Sequence, residues 1–164
     1  MKPEDKLAQI KKKYAGRIRI ALQKAAREIA QPILDLIKFR TRQLGENANN
    51  EKLKIKQSTE KYRERYADNL HPDTSPGTAN LTGTGQMIDA LRARAGGGKV
   101  TIDIKNTKRR RELSGGKSKL NNNEVRKFVE MNPSNEFLKL SEAEKKEVIE
   151  IAAEIINKEL RGLS

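Results

Sequence analysis

The chain has 164 residues, of which 35% are hydrophobic, 4% aromatic and 35% charged. This length suits one domain, residues 1–164, with a core so lean that neighbouring subunits are expected to help bury it. The net charge of +13 excludes an acidic protein and favours a polyanionic partner, either nucleic acid or an acidic protein surface. The alternative is a charged surface that is merely solvated.

Several further classes are excluded by what the sequence lacks. The chain contains no cysteine, so it has no disulfide, no thiolate metal ligand and no cysteine nucleophile. No apolar run approaches the roughly 20 residues that a membrane span needs. The N-terminal Met1–Asp5 is not followed by an apolar signal segment, so we expect an intracellular product without a membrane partner.

The first 44 residues are predicted to form one long amphipathic helix or a helix pair, with helix over residues 4–44. Gly16 should weaken it, and Pro32 should kink or split it. Apolar residues recur every three or four positions in one stripe: Leu7, Ile10, Tyr14, Ile18, Ala21, Ala25, Ile29, Ile33 and Leu36. The opposite face is basic and is either solvated or a contact for DNA or an acidic partner: Lys11, Lys12, Lys13, Arg17, Arg19, Lys24 and Arg27.

Residues 45–80 are predicted to be a linker with a short helix. Gly45 to Asn50 is rich in turn residues. A helix from Ser58 or Thr59 to Leu70 carries Tyr62, Tyr66 and Leu70 four residues apart. The tyrosines could stack on bases, but one helical face of this kind favours a role in the core.

Residues 81–104 are predicted to be the core of the fold, as a helix, a turn and a strand. The segment from Thr74 to Gly85 is a loop of small turn-forming residues. Met87, Ile88 and Leu91 follow at helical spacing, with Thr84 or Gly85 as the N-terminal cap and Gly96–Gly98 as the end. The final strand has apolar residues that alternate with polar ones, which predicts one buried face: Val100, Ile102 and Ile104.

Residues 105–122 are predicted to be a basic loop. Lys105 to Lys119 includes Gly115 and Gly116 and few apolar residues, which is typical of an exposed, mobile loop or of a hairpin tip. Such a segment could bind phosphates or insert between acidic neighbours in an assembly. Its candidate contact residues are Lys108, Arg109, Arg110, Arg111 and Lys117.

Residues 123–164 are predicted to hold the C-terminal helices. A short one spans Asn123 to Met131, and a longer one begins with a capping box of Ser141 and Glu144. The longer helix has a predicted buried stripe of Ile149, Ala152, Ile156 and Leu160, joined by Val148, Ile151 and Ile155. Its predicted outer face is acidic, with Glu142, Glu147, Glu150, Glu154 and Glu159. An acidic end and a basic middle suit head-to-tail contact between copies in a ring.

No catalytic constellation is evident. His71 is the only histidine, and a lone loop histidine is ordinarily a surface residue. Gly83 and Gly85 precede a helix, but no strand precedes them and no phosphate-loop spacing follows, so they are interpreted as turn residues. We therefore expect no enzyme activity, no catalytic residue, no cofactor, no metal site and no small-molecule substrate.

Several separated segments resemble those of the neck and tail-completion proteins of tailed bacteriophages, often grouped as virion morphogenesis proteins. Asn80–Leu91, which reads NLTGTGQMIDAL, resembles that family's LTxTGxMLxSL segment, and Phe137–Glu142, which reads FLKLSE, resembles its RPFLxLS signature. Ile37–Arg42 and Ser58–Tyr66 are also similar to the family, in the same order, so the resemblance covers about residues 30–160. Asn135-Glu136 replaces the family's Arg-Pro, and Leu120–Asn123 replaces a usual strand.

The resemblance implies an α+β fold, with a long N-terminal helix and a C-terminal helix packed on a small antiparallel sheet. It further implies a structural subunit of the virion neck, in a ring of six-fold or twelve-fold symmetry that joins the DNA-filled head to the tail. The expected partners are other copies and other neck, tail or connector proteins, with genomic DNA in the channel as a further candidate. The protein would be made in the host cytoplasm and end in the virion.

Two sets of contact residues follow as hypotheses. Contact with DNA or a partner is assigned to the basic loop residues above and to Lys11, Lys12, Lys13 and Arg17. Contact between subunits is assigned to Ile10, Tyr14, Ile18, Glu147, Glu150 and Glu154. The alternative function is a small basic accessory protein that binds nucleic acid through the same basic residues.

Overall fold

The computed structural model describes residues 3–74, 77, 79, 81, 83–105, 111–131 and 136–161. Within them the chain forms five α-helices and one two-stranded antiparallel sheet: α1 (Pro3–Phe39), α2 (Gln57–Arg65), α3 (Gln86–Asp89), β1 (Leu91–Gly96), β2 (Lys99–Ile104), α4 (Asn122–Glu130) and α5 (Glu142–Arg161). A π-helical turn (Arg40–Leu44) follows α1, and a 3-10 turn (Ala67–Asn69) follows α2. The predicted α+β class, with two long helices and a small antiparallel sheet, is confirmed.

Helix α1 is the longest element and runs without interruption through Gly16 and Pro32. The prediction that Pro32 could split it was therefore wrong. Proline removes one backbone hydrogen bond, but Ile33, Leu34 and Ile37 directly after it are buried in the core. Tertiary packing of that face holds the helix together across the missing bond.

Helix α5 packs antiparallel on the C-terminal half of α1. Near one end Lys24 pairs with Glu159, and at the other Arg40 pairs with Glu144. The two helices therefore lie side by side over about 24 Å, at about 1.5 Å per residue. The predicted apolar stripe of α1 is buried at Ala21, Ala25 and Ile33 but exposed at Tyr14 and Ile18, and the side chains of Leu7 and Ile10 lie outside the described part of the chain.

The segment after α3 differs from the prediction, because Leu91–Gly96 is a strand and not the rest of a helix. β1 pairs with β2 from Leu91↔Ile104 to Gly96↔Lys99, and Gly97 and Gly98 form the connecting turn. Both glycines have positive φ, 59° and 75°, as the tightest hairpin turns require. The predicted helix shrinks to the single turn of α3, and the predicted strand is confirmed as β2.

The hairpin has one face on the core and one in solvent. Leu91 and Ile104 are buried, and the other inward residues alternate with them along both strands. On the outer face Arg92 and Arg94 both bond Asp103. Alternation of this kind is what anchors the register, since a slip of one residue would expose the whole apolar face.

The core lies between α1, the hairpin, α3 and the start of α5. Ile37, Ile88 and Phe137 are completely buried. The buried cluster consists of Ile33, Leu34, Ile37, Met87, Ile88, Leu91, Ile104, Phe137 and Val148. α1, α3, both strands, Phe137 and α5 thus contribute to one core.

Both C-terminal helices begin with capping boxes. In α5 the Ser141 N–H donates to Glu144 at 2.6 Å and the Glu144 N–H donates to Ser141 at 3.3 Å, as predicted. In α4 Asn121 and Glu124 form the same pattern. Two predictions for α5 were wrong: Ile149 is 64% exposed and not buried, and Glu159 faces Lys24 and not solvent. One residue along a helix turns the side chain by about 100°, so Val148 and not Ile149 faces α1.

The hairpin turn gives a stability prediction. Gly97→Ala and Gly98→Ala should each lower the free energy of unfolding by about 1 kcal/mol or more, since a side chain at positive φ is strained. The two losses should be similar, because the Cβ added at Gly98 would make only an ordinary van der Waals contact, 3.4 Å from Cβ of Leu22. Gly96→Ala is the control, because no atom lies within 4 Å of its added Cβ. Urea denaturation measures all three, and an equal loss at Gly96 would contradict the turn.

Candidate assembly surfaces

One buried arginine connects the segments that build the rest of the molecule. Arg40, at the end of α1, is 2% exposed and forms an ion pair with Glu144 of α5. It also donates to the backbone carbonyls of Phe137 and Lys139, at 2.7 Å each. We call this group the Arg40 clamp, and sequence reasoning did not identify it.

Burial lowers the pKa of Arg40, and the carboxylates of Glu144 and Glu46 act in the opposite direction. An arginine keeps its charge throughout the pH range of a folded protein. The clamp is therefore a permanent buried cation with one buried carboxylate as its partner. It fixes where α5 starts relative to α1 and so positions the surfaces described next.

The first surface is an arm formed by residues 3–22 of α1, which continues beyond the end of α5. The arm is about 30 Å long at about 1.5 Å per residue. Tyr14 is 60% exposed, Ile18 45% and Ile20 62%. The side chain of Ile10 lies outside the described part of the chain. Of the predicted subunit contacts on this helix, Tyr14 and Ile18 are thus available to a partner.

The arm is also strongly basic. Residues 3–22 contain six lysines and arginines and two acidic residues, a net charge of +4. Lys11, Lys12 and Lys13 are exposed and Arg17 is half-buried. The predicted basic residues of the arm are thus accessible to solvent, and their contact with DNA or a partner stays a prediction.

The second surface is the outer face of α5. Glu147, Glu150 and Glu154 are exposed, as predicted. Lys146 and Lys158 lie one helical turn from Glu150 and Glu154, and Lys158 and Arg161 line a pocket together with Glu154, so this face carries charges of both signs. Ile149 is 64% exposed and lies on another side of the helix, about 100° around the axis from Glu150 and about 160° from Glu147.

The third surface is a basic turn at Arg111–Lys117. Of the two predicted forms, a mobile loop or a hairpin tip, the described half is a hairpin tip. Arg111 and Lys117 form an antiparallel β-bridge across it, and both are exposed. Lys108, Arg109 and Arg110 lie outside the described residues. The turn belongs to a different part of the fold from the arm, so the described basic residues of the turn and those of the arm lie on separate surfaces.

Hydrogen bonds attach the basic turn to two other segments. The Gln86 side chain donates to the Arg111 carbonyl at 2.9 Å and accepts from its N–H at 2.7 Å. The Asn69 side chain donates to the Leu113 carbonyl at 2.7 Å. Leu113 is buried beneath the turn, so the basic residues are presented from a fixed base.

An apolar groove of about 730 Å³ lies between the basic turn, α2 and α4. Phe128 in its wall is 61% exposed, and Tyr62 and Leu120 are 37% exposed. Its charged lining residues are Lys54, Lys56, Arg63, Arg111 and Glu112. The groove could not be predicted from the sequence, because its walls come from segments that are far apart in the chain.

The tyrosines of α2 belong to this side of the molecule and not to the main core, so that prediction was wrong. The rings of Tyr62 and Tyr66 lie 5.0 Å apart at 59°, and the Tyr62 hydroxyl accepts from the Ser114 N–H at 3.3 Å. They are four residues apart on one helical face, as predicted. That face packs on the basic turn instead of the core, which periodicity alone could not reveal.

The glycine pair before α3 does not form an open phosphate loop. The His71 N–H donates to the Gly83 carbonyl at 2.7 Å. A Cβ placed on Gly85 would lie 2.4 Å from Cδ2 of His71, so the imidazole covers the backbone that a phosphate would need. The interpretation of Gly83 and Gly85 as turn residues is confirmed, and His71 packs on that turn.

Two further kinds of feature are missing from the part of the chain that the structure describes. No group of three or more His, Cys, Asp or Glu side chains is placed to hold a metal ion there. None of the helices in the described ranges combines the length and the apolarity that crossing a bilayer needs.

Comparisons with protein-family models, with curated proteins and with solved structures gave no match to this chain. The family resemblance therefore stays a proposal, to be judged with the surfaces described above.

The Arg40 clamp gives a second stability prediction. Glu144→Gln should lower the free energy of unfolding by about 3 kcal/mol, because it leaves the buried Arg40 without its counter-charge. Glu142→Gln is the matched control in the same turn of α5, since the Glu142 side chain is 85% exposed and pairs only with Lys145. Chemical denaturation at neutral pH measures both. Equal losses would show that the clamp does not stabilise the fold.

Proposed function

We propose that this chain is a structural subunit of the neck of a tailed bacteriophage. It would act as a tail-completion or head–tail connector protein, one copy of an oligomeric ring that joins the DNA-filled head to the tail. The observation that carries the proposal is the arm, whose large apolar side chains, Tyr14, Ile18 and Ile20, are exposed. Exposed apolar residues of this size on a projecting helix are typical of a subunit that is completed by its neighbours.

The segments that carry the resemblance also support the proposal through their contacts. Arg40 belongs to Ile37–Arg42 and bonds the carbonyls of Phe137 and Lys139 in the FLKLSE segment. Met87 and Ile88, from the NLTGTGQMIDAL segment, pack in the same core. Three segments chosen for their similarity to one family thus form one physical unit. Three motifs that contact one another in the fold support the family resemblance more strongly than three short motifs that do not.

In the proposed neck, the basic turn and the groove beside it face a protein of an adjoining ring. Phosphate contacts need positive charge and little apolar surface. Here Phe128 is 61% exposed and Leu120 37% exposed beside Arg111. An apolar centre with a charged rim is the usual composition of a protein interface. Lys108, Arg109 and Arg110 precede the described half of the turn in the sequence. They are the residues of the loop that remain candidates for lining the DNA channel.

The second candidate function is a small nucleic-acid-binding accessory protein. It is favoured by the net charge of +13 and by the exposed Lys11, Lys12 and Lys13. Such a protein would bind duplex DNA tightly as an isolated chain, with affinity that falls steeply as salt rises. A neck subunit should bind weakly, or only when assembled. A salt titration of DNA binding by the purified protein distinguishes the two.

The neck proposal is tested by electron microscopy of lysates from a phage that lacks this gene. We expect filled heads and finished tails lying apart, and joined virions again when the gene is supplied from a plasmid. Normal virions without the gene would overturn the proposal and leave DNA binding as the better explanation.

Charge reversal of the basic loop tests its part in joining. Arg109→Glu, Arg110→Glu and Arg111→Glu together should lower the yield of joined virions about tenfold or more, since like charges at an interface cost several kcal/mol and ~1.4 kcal/mol is a factor of ten. The matched control reverses three exposed lysines elsewhere, Lys61, Lys99 and Lys127. Complementation of the deletion phage measures both variants. An undiminished yield with the arginine variant would remove the loop from the mechanism.

A further inference from the structure

The groove beside the basic turn opens onto the main core. Its lining includes Met87, which is 2% exposed and belongs to the buried core cluster, and Val125 and Val129, which pack against that cluster. In the wall above them Phe128 is 61% exposed. A volume of about 730 Å³ is in the range of sites that bind a ligand or part of a partner. Apolar side chains placed in the groove would therefore extend the core outwards.

The two helices that form the walls of the groove have little support elsewhere. α2 and α4 have nine residues each, and helices shorter than about 12 residues need tertiary packing to be stable in water. Within the described ranges, neither packs extensively on α1, on α5 or on the hairpin. α4 contacts the short α3, and α2 is held to the basic turn by the Tyr62 hydroxyl. A segment that lies between α2 and α4 would supply the packing that both lack.

The helical walls also decide the conformation of such a segment. A chain that enters an apolar groove must keep its backbone N–H and C=O groups hydrogen-bonded. α2 and α4 use their backbone groups within each helix, so these walls cannot pair with an extended strand as the edge of a sheet does. A helix bonds its own backbone groups and presents apolar side chains three and four residues apart along one face. The groove therefore favours an amphipathic helix.

The rim of the groove selects the charge of that helix. The charged lining residues are Lys54, Lys56, Arg63, Arg111 and Glu112, four basic and one acidic, which gives a net charge of +3. Arg63 is 5% exposed, and burial lowers its pKa. A carboxylate brought close to Arg63 would favour its charged form and offset part of the cost of burying it. The arm of another copy is a poor occupant, because its net charge of +4 would face a basic rim.

Two glutamates near the groove do not reverse this charge. Glu60 of α2 and Glu124 of α4 precede lining residues in the sequence, but neither lines the groove itself. The Glu124 carboxylate accepts from the N–H of the residue before α4 at 2.7 Å, as part of the capping box. Lys117 and Lys119 are exposed on either side of the lining residue Ser118. The surroundings of the groove therefore add as many positive charges as negative ones.

We propose that the groove binds an acidic amphipathic helix of an adjoining neck protein. The apolar face of that helix packs on Met87, Val125 and Phe128, and its carboxylates face Lys56 and Arg111 at the rim. The inference rests on the proposed function for the place of the partner in the virion neck. The conformation, apolar face and charge of the partner helix follow from the groove alone.

Selection from a peptide library tests the chemistry of the occupant. Random peptides of about 16 residues, long enough for about four helical turns, are displayed and selected on the immobilised full-length chain. Enriched peptides should carry apolar residues three or four positions apart and more Asp and Glu than Lys and Arg. Three results would overturn the inference: enrichment of basic peptides, enrichment of peptides with apolar residues at every second position, or no enrichment.

An aromatic truncation tests whether the selected peptides bind in the groove. Phe128→Ala should weaken binding of the most enriched peptide about tenfold or more, because aromatic side chains at the centre of an interface carry much of the binding energy. Phe39→Ala is the matched control, since Phe39 is 57% exposed and lies outside the groove. Its affinity should equal that of the wild type. Fluorescence anisotropy of the labelled peptide with full-length chains measures both variants, and equal affinities would overturn the inference.

A charge reversal tests the acidic character of the bound helix. Lys56→Glu should weaken binding of the same peptide about tenfold, because it places like charges together at the rim. Lys61→Glu is the control, since Lys61 is exposed on α2 but does not line the groove. Equal effects of the two reversals would show that the rim does not select charge. Self-association of the chain that competes with the peptide and is lost in Phe128→Ala would identify a second copy as the occupant, which would also overturn the inference.

Complementation of the deletion phage separates this inference from the neck proposal. Phe128→Ala should give about tenfold fewer joined virions than Phe39→Ala. If heads and tails lie apart in the deletion phage but both variants restore joining equally, the neck role stands and the groove is not its binding site. If the peptides bind as expected but virions form normally without the gene, the groove still binds an acidic helix, and the neck proposal fails.

Discussion

The structure depends on one buried charge pair more than on any apolar contact. A small core with few aromatic residues could let its two long helices slide along each other, because dispersion and burial are not directional. The pairing of Arg40 with Glu144, together with its bonds to the carbonyls of Phe137 and Lys139, is directional and is satisfied in only one register. A buried pair of this type adds little net stability compared with apolar residues. Here it specifies position.

That position organises the outside of the molecule as well as the inside. The pair sets where α5 begins, and the length of α5 then decides where the cover of α1 ends, at Lys24 and Glu159. Further towards the N-terminus Ala21 is still buried, whereas Tyr14, Ile18 and Ile20 are exposed. The open arm is thus a result of the same helix register.

Much of this could be predicted from the sequence, because local rules governed those parts. The long first helix, the capping box at Ser141, the strand at Val100–Ile104 and the acidic face of α5 all follow from periodicity and capping. The predicted helix at Leu91 was wrong because Met87, Ile88 and Leu91 fit helical spacing. The alternation of Leu91, Ala93 and Ala95 before three glycines was the better signal for a hairpin.

The other features that could not be predicted from the sequence depend on contacts between segments that are far apart in the chain. Arg40 looks like any other basic residue of a basic helix, and only the arrival of Phe137–Glu144 makes it a buried clamp. The groove needs α2, α4 and the turn at Arg111–Lys117 together. The arm was predicted as helix, but its exposure depends on where α5 stops, and no local pattern in residues 3–22 records that.

Because α1 is continuous through Gly16 and Pro32, the directions in which the side chains of the arm point are fixed relative to the body of the molecule. Because the helix is unbroken, adding or removing one residue between Tyr14 and Ala21 would turn the arm by about 100° and move it by about 1.5 Å. Its apolar stripe would then face away from the direction set by the buried half. Changes of four or seven residues would leave the stripe within about 40° or 20° of its original direction. Length variation in this helix among related chains should therefore come in whole turns, whatever happens to the identity of individual residues.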